Sequence, residues 1–134
     1  MSTPAEKNGM NSEQLTELTK ELIYEATHFN VPYVEQIYAD KLLIIEVAED
    51  RHTVNTMNKE QLLTFVTGNR DAGIAPLSSN TEFHYAVCEE NMGVVVMTRE
   101  LELNGKWGKK FFTLIWEYSS GKWQVVKESY LALN

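Results

Sequence analysis

The sequence predicts an α+β fold in which a curved antiparallel sheet wraps around a long N-terminal helix and two shorter helices. Helical periodicity is confined to the first half of the chain, and four strand patterns follow one another after residue 80 with only short polar turns between them. Early helices and late strands are typical of α+β folds rather than of parallel α/β folds. We therefore expect a single domain over residues 12–134, preceded by a flexible tail over residues 1–11.

Three helices are predicted in the first half. The first, residues 12–28, can be capped by Asn11 or Ser12. Its apolar residues recur at helical spacing and form one stripe: Leu15, Leu18, Leu22, Ile23, Ala26 and Phe29. Asn30 can cap a short second helix, which is followed by a β-branched apolar run typical of a buried strand. Asn58 begins the third helix with the pattern of a capping box, after a polar segment that fits a hairpin or loop.

The four late strands are predicted at residues 81–89, 92–103, 109–119 and 122–131. The second and third of these strands are apolar on both faces at their centres. In a sheet that exposes one face to solvent, apolar and polar residues alternate along each strand. Val94 to Met97 forms one unbroken apolar run of this kind. Helices can cover one face of this sheet, and we expect a second copy of the chain to cover the other. The sequence therefore predicts a homodimer that forms through the sheet.

Composition excludes several classes of partner. The formal charge of −7 and the scattered basic residues disfavour nucleic acid. No run approaches the roughly 18 apolar residues of a membrane span, and the polar first residues do not resemble a signal peptide. Cys88 is the only cysteine, which excludes an intrachain disulfide and indicates a reducing, cytoplasmic location. The three histidines lack metal-ligand spacing, so we expect no metal and no cofactor.

Three local patterns resemble the nuclear transport factor 2-like superfamily, which includes SnoaL-like cyclases and ketosteroid isomerases. They are Ile-Tyr-Ala-Asp at residues 37–40, Phe-Thr-Leu-Ile-Trp at 112–116 and Gly-Lys-Trp-Gln-Val-Val at 121–126. The resemblance covers nearly the whole chain from about Ser12. It implies a cone whose sheet curls around the helices, a cavity that opens at one end, and dimers formed through the outer sheet face. It does not imply one function, because this fold hosts enzymes and binding modules alike.

Glu46 is the first candidate for catalysis, because it is a carboxylate within an apolar run. Strand alternation places it on the same face as Leu42 and Ile44. An inward-facing Glu46 would be partly desolvated, and its pKa would then rise toward that of a general base. The resemblance agrees, since ketosteroid isomerases carry their proton-abstracting aspartate at the matching position. The alternative is a solvated Glu46 at the end of its strand, or one paired with Arg51.

The resemblance also argues against a steroid isomerase. The oxyanion-hole tyrosine of that family would match Leu22, which has no hydroxyl. The second oxyanion donor, an acid, would fall near Thr113 or Ile115. A chain without either donor would lack most of the electrostatic stabilisation of that reaction.

Further residues could contribute to a pocket. His84 is the second candidate for catalysis, because histidine titrates near neutrality. Strand alternation is expected to turn it away from Phe83 and Tyr85. The alternative to a catalytic role is a histidine at the surface or at the edge of the core. Arg99 shares a strand face with apolar residues and would favour an acidic ligand if it faces inward, or form a surface ion pair if it faces outward. The other candidates for ligand binding are Tyr24, Tyr38 and Trp116. The acids of the late strands are expected to face solvent: Glu100, Glu102, Glu117 and Glu128.

Two functions follow from these observations. The first is a small-molecule-binding cone of the SnoaL-like type, which takes an apolar or acidic ligand with or without acid–base chemistry at Glu46. The second is a non-catalytic association or scaffold module that dimerises through its sheet; a regulatory domain beside another enzyme is a weaker third reading. The sequence leaves open whether the protein is an enzyme and what it binds.

Overall fold

The computed structural model describes residues 9–103 and 105–133, with Leu103 described by its backbone alone. Its helices are α1 (Ser12–Thr27), α2 (Val31–Ile37) and α3 (Lys59–Asp71). Its strands are β1 (Tyr38–Val47), β2 (Val54–Asn58), β3 (Thr81–Glu89), β4 (Met92–Leu103), β5 (Lys106–Ser119) and β6 (Lys122–Leu133). In this described part of the chain, no helix is both long and apolar enough to cross a membrane.

The strands form one curved, open sheet in the order β2-β1-β6-β5-β4-β3, which confirms the predicted α+β class. The sheet is mixed rather than wholly antiparallel, because β1 lies parallel to β6. All other neighbouring strands are antiparallel. The last strand therefore occupies the middle of the sheet and joins the early β1-β2 pair to the late meander.

Capping determines where α1 begins. The Asn11 side chain accepts a hydrogen bond from the Gln14 amide at 2.8 Å, and the Gln14 side chain accepts one from the Asn11 amide at 3.0 Å. This reciprocal pair is a capping box. Met10, just before it, is only 6 % exposed and belongs to the core. Residues 1–8 of the predicted tail lie outside the described residues.

The core lies between α1 and the inner face of the sheet. The most deeply buried strand residues belong to β4, β5 and β6 and are 0 % exposed: Val95, Leu114, Trp116, Trp123 and Val125. Gly93 brings β4 close to α1, because a Cβ atom at this position would lie 2.8 Å from Leu15 Cδ2. The helix stripe predicted from the sequence therefore packs directly on the sheet.

Of the three register shifts in the described sheet, those in the β5–β6 and β3–β4 pairings correct the predicted orientation of side chains. In the β5–β6 pairing, Trp116 lies opposite Val125 and Ile115 lies opposite Lys127, so β6 has one extra residue at that point. A bulge of this kind reverses the alternation that follows it. Beyond it, Glu128 lies opposite the fully buried Leu114 and shares the inner face. The prediction that Glu128 faces solvent is therefore wrong.

The second shift lies in β3. Phe83 pairs with the buried Met97, whereas Tyr85 pairs with Val96 on the outer face, and His84 falls within the irregularity. Phe83 packs against the core and Tyr85 is 59 % exposed. The two aromatic residues lie on opposite faces, which corrects the expectation that they share one face opposite His84.

Candidate functional site

A cavity of about 260 Å³ lies inside the cone, between α1, α3 and the inner sheet face. Its walls are mostly apolar. Helix α1 contributes Leu22 and Ile23, α3 contributes Leu62 and Phe65, and the sheet contributes Phe112 among others. Six side chains with polar groups interrupt this apolar wall: Thr27, Tyr38, Glu46, Arg99, Glu128 and Tyr130. The Thr27 hydroxyl already donates to the Ile23 carbonyl within its own helix, at 2.7 Å.

Glu128 lies at the centre of these polar side chains. The Tyr38 hydroxyl donates a hydrogen bond to Glu128 Oε1 at 3.4 Å, a long distance for such a bond. Burial raises the pKa of the Glu128 carboxyl to about 6, although the charge of Arg99 and the Tyr38 hydrogen bond act in the opposite direction. A carboxyl group with this pKa can take up or release a proton near neutral pH.

Arg99 lies on the same inner face, as strand alternation with Val95 and Met97 requires. Its Nη2 donates to the Ser78 carbonyl at 3.1 Å, and its Cζ lies 5.2 Å from the centre of the Phe112 ring. Its Nε is buried and has no hydrogen-bond partner among the described residues. Burial lowers the pKa of Arg99, and the charge of Glu128 offsets part of this effect. Among the described residues, no ion pair within 4.0 Å joins Arg99 to Glu128.

Glu46 also lines the cavity, on the face that it shares with Leu42 and Ile44. Its Oε1 accepts a hydrogen bond from Asn55 Nδ2 of the neighbouring β2 at 3.0 Å. Arg51, the alternative partner, instead donates to the Ala132 carbonyl at 2.6 Å. The Glu46 side chain is partly exposed, whereas Tyr38 is buried, so Glu46 lies closer to solvent than Tyr38 does.

The two tyrosines keep their protons at neutral pH. Burial is the largest cause of the raised pKa of Tyr38, and the charge of Glu128 adds to it. Burial also raises the pKa of Tyr130, with smaller contributions from the charges of Glu46 and Glu128. Both hydroxyls therefore act as neutral hydrogen-bonding groups within the cavity.

The other three predicted site residues lie elsewhere. His84 is on the outer face, where its Nε2 lies 2.6 Å from Thr98 Oγ1. Tyr24 is 57 % exposed and stacks on His28 with ring centroids 4.1 Å apart. Trp116 is fully buried in the core, and within residues 9–103 and 105–133 its Nε1 has no hydrogen-bond partner. The cavity thus brings together Glu46, Tyr38 and Arg99 and leaves these three outside it.

Sequence reasoning missed Glu128 and Tyr130. Strict alternation from the buried Trp123 and Val125 points to Lys127 as the next inward residue, so the bulge in β6 conceals both of them. No local pattern in the sequence marks this bulge, because inward residues of opposite parity on one strand show an irregularity only once their orientation is known. Within the described residues, no group of three or more His, Cys, Asp or Glu side chains could hold a metal ion.

Comparisons with known proteins identify the fold. No protein-family model and no curated protein matches the chain. Among solved structures, an NTF2-like protein from Cytophaga hutchinsonii is similar with a TM-score of 0.71 at 17 % identity, over 92 % of this chain and 100 % of that one. A ketosteroid isomerase candidate from Parabacteroides distasonis is similar with a TM-score of 0.65 at 17 % identity, over 98 % of each chain. An NTF2-like protein of unknown function in nutrient uptake from Rhodospirillum rubrum is 20 % identical over 87 % of this chain and 98 % of that one, with a TM-score of 0.58.

These similarities define a class of protein, a cone-shaped α+β domain, and in this chain the cone contains the cavity described above. The chain has the nuclear transport factor 2-like fold, as its local sequence patterns predicted. At identities below 25 % the similarity concerns the fold alone, so function has to be argued from the cavity.

Proposed function

We propose that this protein binds a small, mostly apolar molecule in the cavity of its cone. The observation that carries this proposal is a cavity of about 260 Å³ with apolar walls and a polar cluster around Glu128. Sites with a few converging polar groups in an apolar wall are typical of small-molecule binding. A dry apolar cavity of about 150 Å³ holds benzene, so this volume fits a molecule of about one substituted ring.

A cavity-filling variant tests the proposal. Ala26 lines the cavity, so Ala26→Phe should occupy part of its volume, whereas Ala72→Phe adds the same side chain on the exposed end of α3. Ethylbenzene is a suitable neutral probe, and its binding is measured from backbone amide shifts in ¹⁵N NMR spectra. Wild type and Ala72→Phe should bind it, and Ala26→Phe should not. Equal behaviour of the two variants, or no binding by the folded wild type, would contradict the proposal.

Acid–base chemistry on the bound molecule is a second candidate function, and the pKa of Glu128 near 6 favours it. In such a reaction the carboxylate removes a proton from the carbon next to a carbonyl group and later returns one. The test uses phenylacetone in D₂O, where the exchange of its acidic C–H protons for deuterons is followed by NMR. Glu128→Gln should abolish any exchange above the buffer rate, and Glu46→Gln shows whether the carboxylate predicted first has that role instead.

The outer sheet face supports the proposed homodimer. It carries apolar side chains that neighbour one another across β3, β4 and β5: Tyr85, Val94, Val96, Phe111 and Ile115. Tyr85 is 59 % and Phe111 is 36 % exposed. Val96→Glu should give a monomer by sedimentation-velocity centrifugation, whereas Glu100→Gln on the same strand should not change the oligomeric state. A wild-type monomer at high concentration would refute the homodimer, and with it the association module as an alternative function.

A further inference from the structure

Two charged groups in the cavity make few hydrogen bonds with the described residues. Arg99 has five N–H donors, and the described contacts include one hydrogen bond from them, to the Ser78 carbonyl. Glu128 accepts one long hydrogen bond, from Tyr38 at 3.4 Å. Both side chains line the same cavity, and the charge of each shifts the pKa of the other. In the part of the chain that the structure describes, no ion pair within 4.0 Å joins them. Donors and acceptors therefore remain available for a third group between them.

We propose that the cavity binds a carboxylic acid with an apolar body, whose carboxyl group lies between Arg99 and Glu128 and shares one proton with Glu128. This inference rests on the proposed function, since it names the class of molecule that the same cavity takes. One ligand oxygen accepts from the Arg99 guanidinium, and the other is joined to a Glu128 oxygen through the shared proton. Such a carboxyl group satisfies the donor and the acceptor at once.

The shared proton follows from the count of charges. Arg99 already balances an ionised Glu128, so a ligand carboxylate that entered without a proton would leave two negative charges beside one positive charge. Two carboxylates in one desolvated site cannot both ionise easily, and one of them is protonated instead. Binding above the pKa of Glu128 should therefore take up one proton from solution.

The surroundings of Glu128 leave this charge count unchanged. It faces the neutral hydroxyl of Tyr38 from β1, that of Tyr130 from its own strand, and the guanidinium of Arg99 from β4. The α1, α3 and β5 residues that line the cavity carry no titratable group. Glu46 of β1 is the remaining acid, and it bonds to Asn55 on the neighbouring strand. An additional negative charge from Glu46 would favour uptake of the proton further.

The test uses 3-phenylpropanoic acid as the probe and isothermal titration calorimetry between pH 5.5 and 8.5. The affinity of the wild type should fall about tenfold per pH unit above the Glu128 pKa of about 6. Titration at pH 7.5 in phosphate and in Tris, which differ in ionisation enthalpy, should show the uptake of close to one proton. Binding without proton uptake, at an affinity independent of pH, would overturn the inference.

Three variants separate the roles of the two charged residues. Glu128→Gln should abolish proton uptake and bind the acid about 100-fold more tightly than the wild type at pH 8, because the repulsion between carboxylates is removed. Arg99→Met should weaken binding of the acid about tenfold or more at pH 6. Glu117→Gln is the matched control, since Glu117 pairs with Lys41 at 2.9 Å and does not line the cavity. It should retain the proton uptake and affinity of the wild type.

Neutral probes distinguish failure of this inference from failure of the proposed function. If ethylbenzene binds and 3-phenylpropanoic acid does not bind at pH 6, the cavity binds small molecules but the acid is excluded, which overturns the inference alone. If 3-phenylpropanamide binds more tightly than the acid at pH 6, the recognised group is a neutral amide and the inference is again wrong. If no probe binds the folded protein, both proposals fail.

Discussion

Glu128→Gln should stabilise the protein at neutral pH, although it removes a charge that faces Arg99. The pKa of Glu128 is about 6 in the folded protein, against an ordinary value of 4.5. A raised carboxyl pKa means that the folded state binds the proton more tightly than the unfolded state, so its contribution to stability is lost as the pH rises from 4.5 to 6. The difference of about 1.5 pKa units corresponds to about 2 kcal/mol. Glutamine has the shape of the protonated side chain and avoids this cost.

Urea denaturation of the wild type and Glu128→Gln at two pH values measures this effect. At pH 7.5 the variant should have a free energy of unfolding higher by about 2 kcal/mol, and at pH 4.5 the difference should shrink to a few tenths of a kcal/mol. Because only the difference between the two proteins is used, the titration of all other groups cancels. A variant that is less stable at pH 7.5, or a difference that does not change with pH, would refute a desolvated Glu128 in the cavity.

Three further changes test other parts of the structure. Tyr38→Phe removes the hydroxyl that stabilises ionised Glu128, so the pKa of Glu128 should rise above about 6. A ¹³C NMR titration of the glutamate side chains measures this pKa. An unchanged or lower value would contradict the Tyr38 contact. Gly93→Ala places a Cβ atom 2.8 Å from the buried Leu15 and should cost about 1 kcal/mol or more in urea denaturation. Gly68→Ala should instead stabilise α3, because among the described residues a Cβ atom there would meet nothing within 4 Å beyond the adjacent backbone of its own helix. The reverse order would refute the close contact of β4 with α1. Asn11→Ala should lower the free energy of unfolding by about 1 kcal/mol, and Ser12→Ala, beside the capping residue, should lower it much less.

Much of the fold could be predicted because the helix caps and the apolar stripe of α1 agree with the final structure. The capping patterns at Asn11 and Asn58 begin the helices where the structure has them, and the apolar stripe from Leu15 to Ile23 identifies the face of α1 that packs on the sheet. The position of β6 between β1 and β5 could not be predicted in the same way. Strand order depends on pairing between segments that are far apart in sequence, and local patterns carry little information about it.

The cavity could be predicted only in part. Arg99 and Glu46 lie on strand faces that regular alternation predicts, so they could be named as candidates from sequence. Glu128 follows a bulge, and the extra residue moved it from the predicted solvent face to the inner face. One irregular pairing therefore decides which carboxyl group lies deepest in the cavity, and only tertiary structure reveals it.

The central place of the last strand also has a consequence for folding. Before β6 joins the sheet, β1 with β2 and the β3-β4-β5 meander are two separate pieces, since β6 alone connects them. Tyr38 and Glu128 are 90 positions apart in the chain, so their contact forms only when that connection is made. Pairings over such distances are slow to form because a long loop must close first. During synthesis, β6 leaves the ribosome after the other five strands of the described sheet, so a partly synthesised chain that lacks β6 has no complete pocket for a ligand to stabilise.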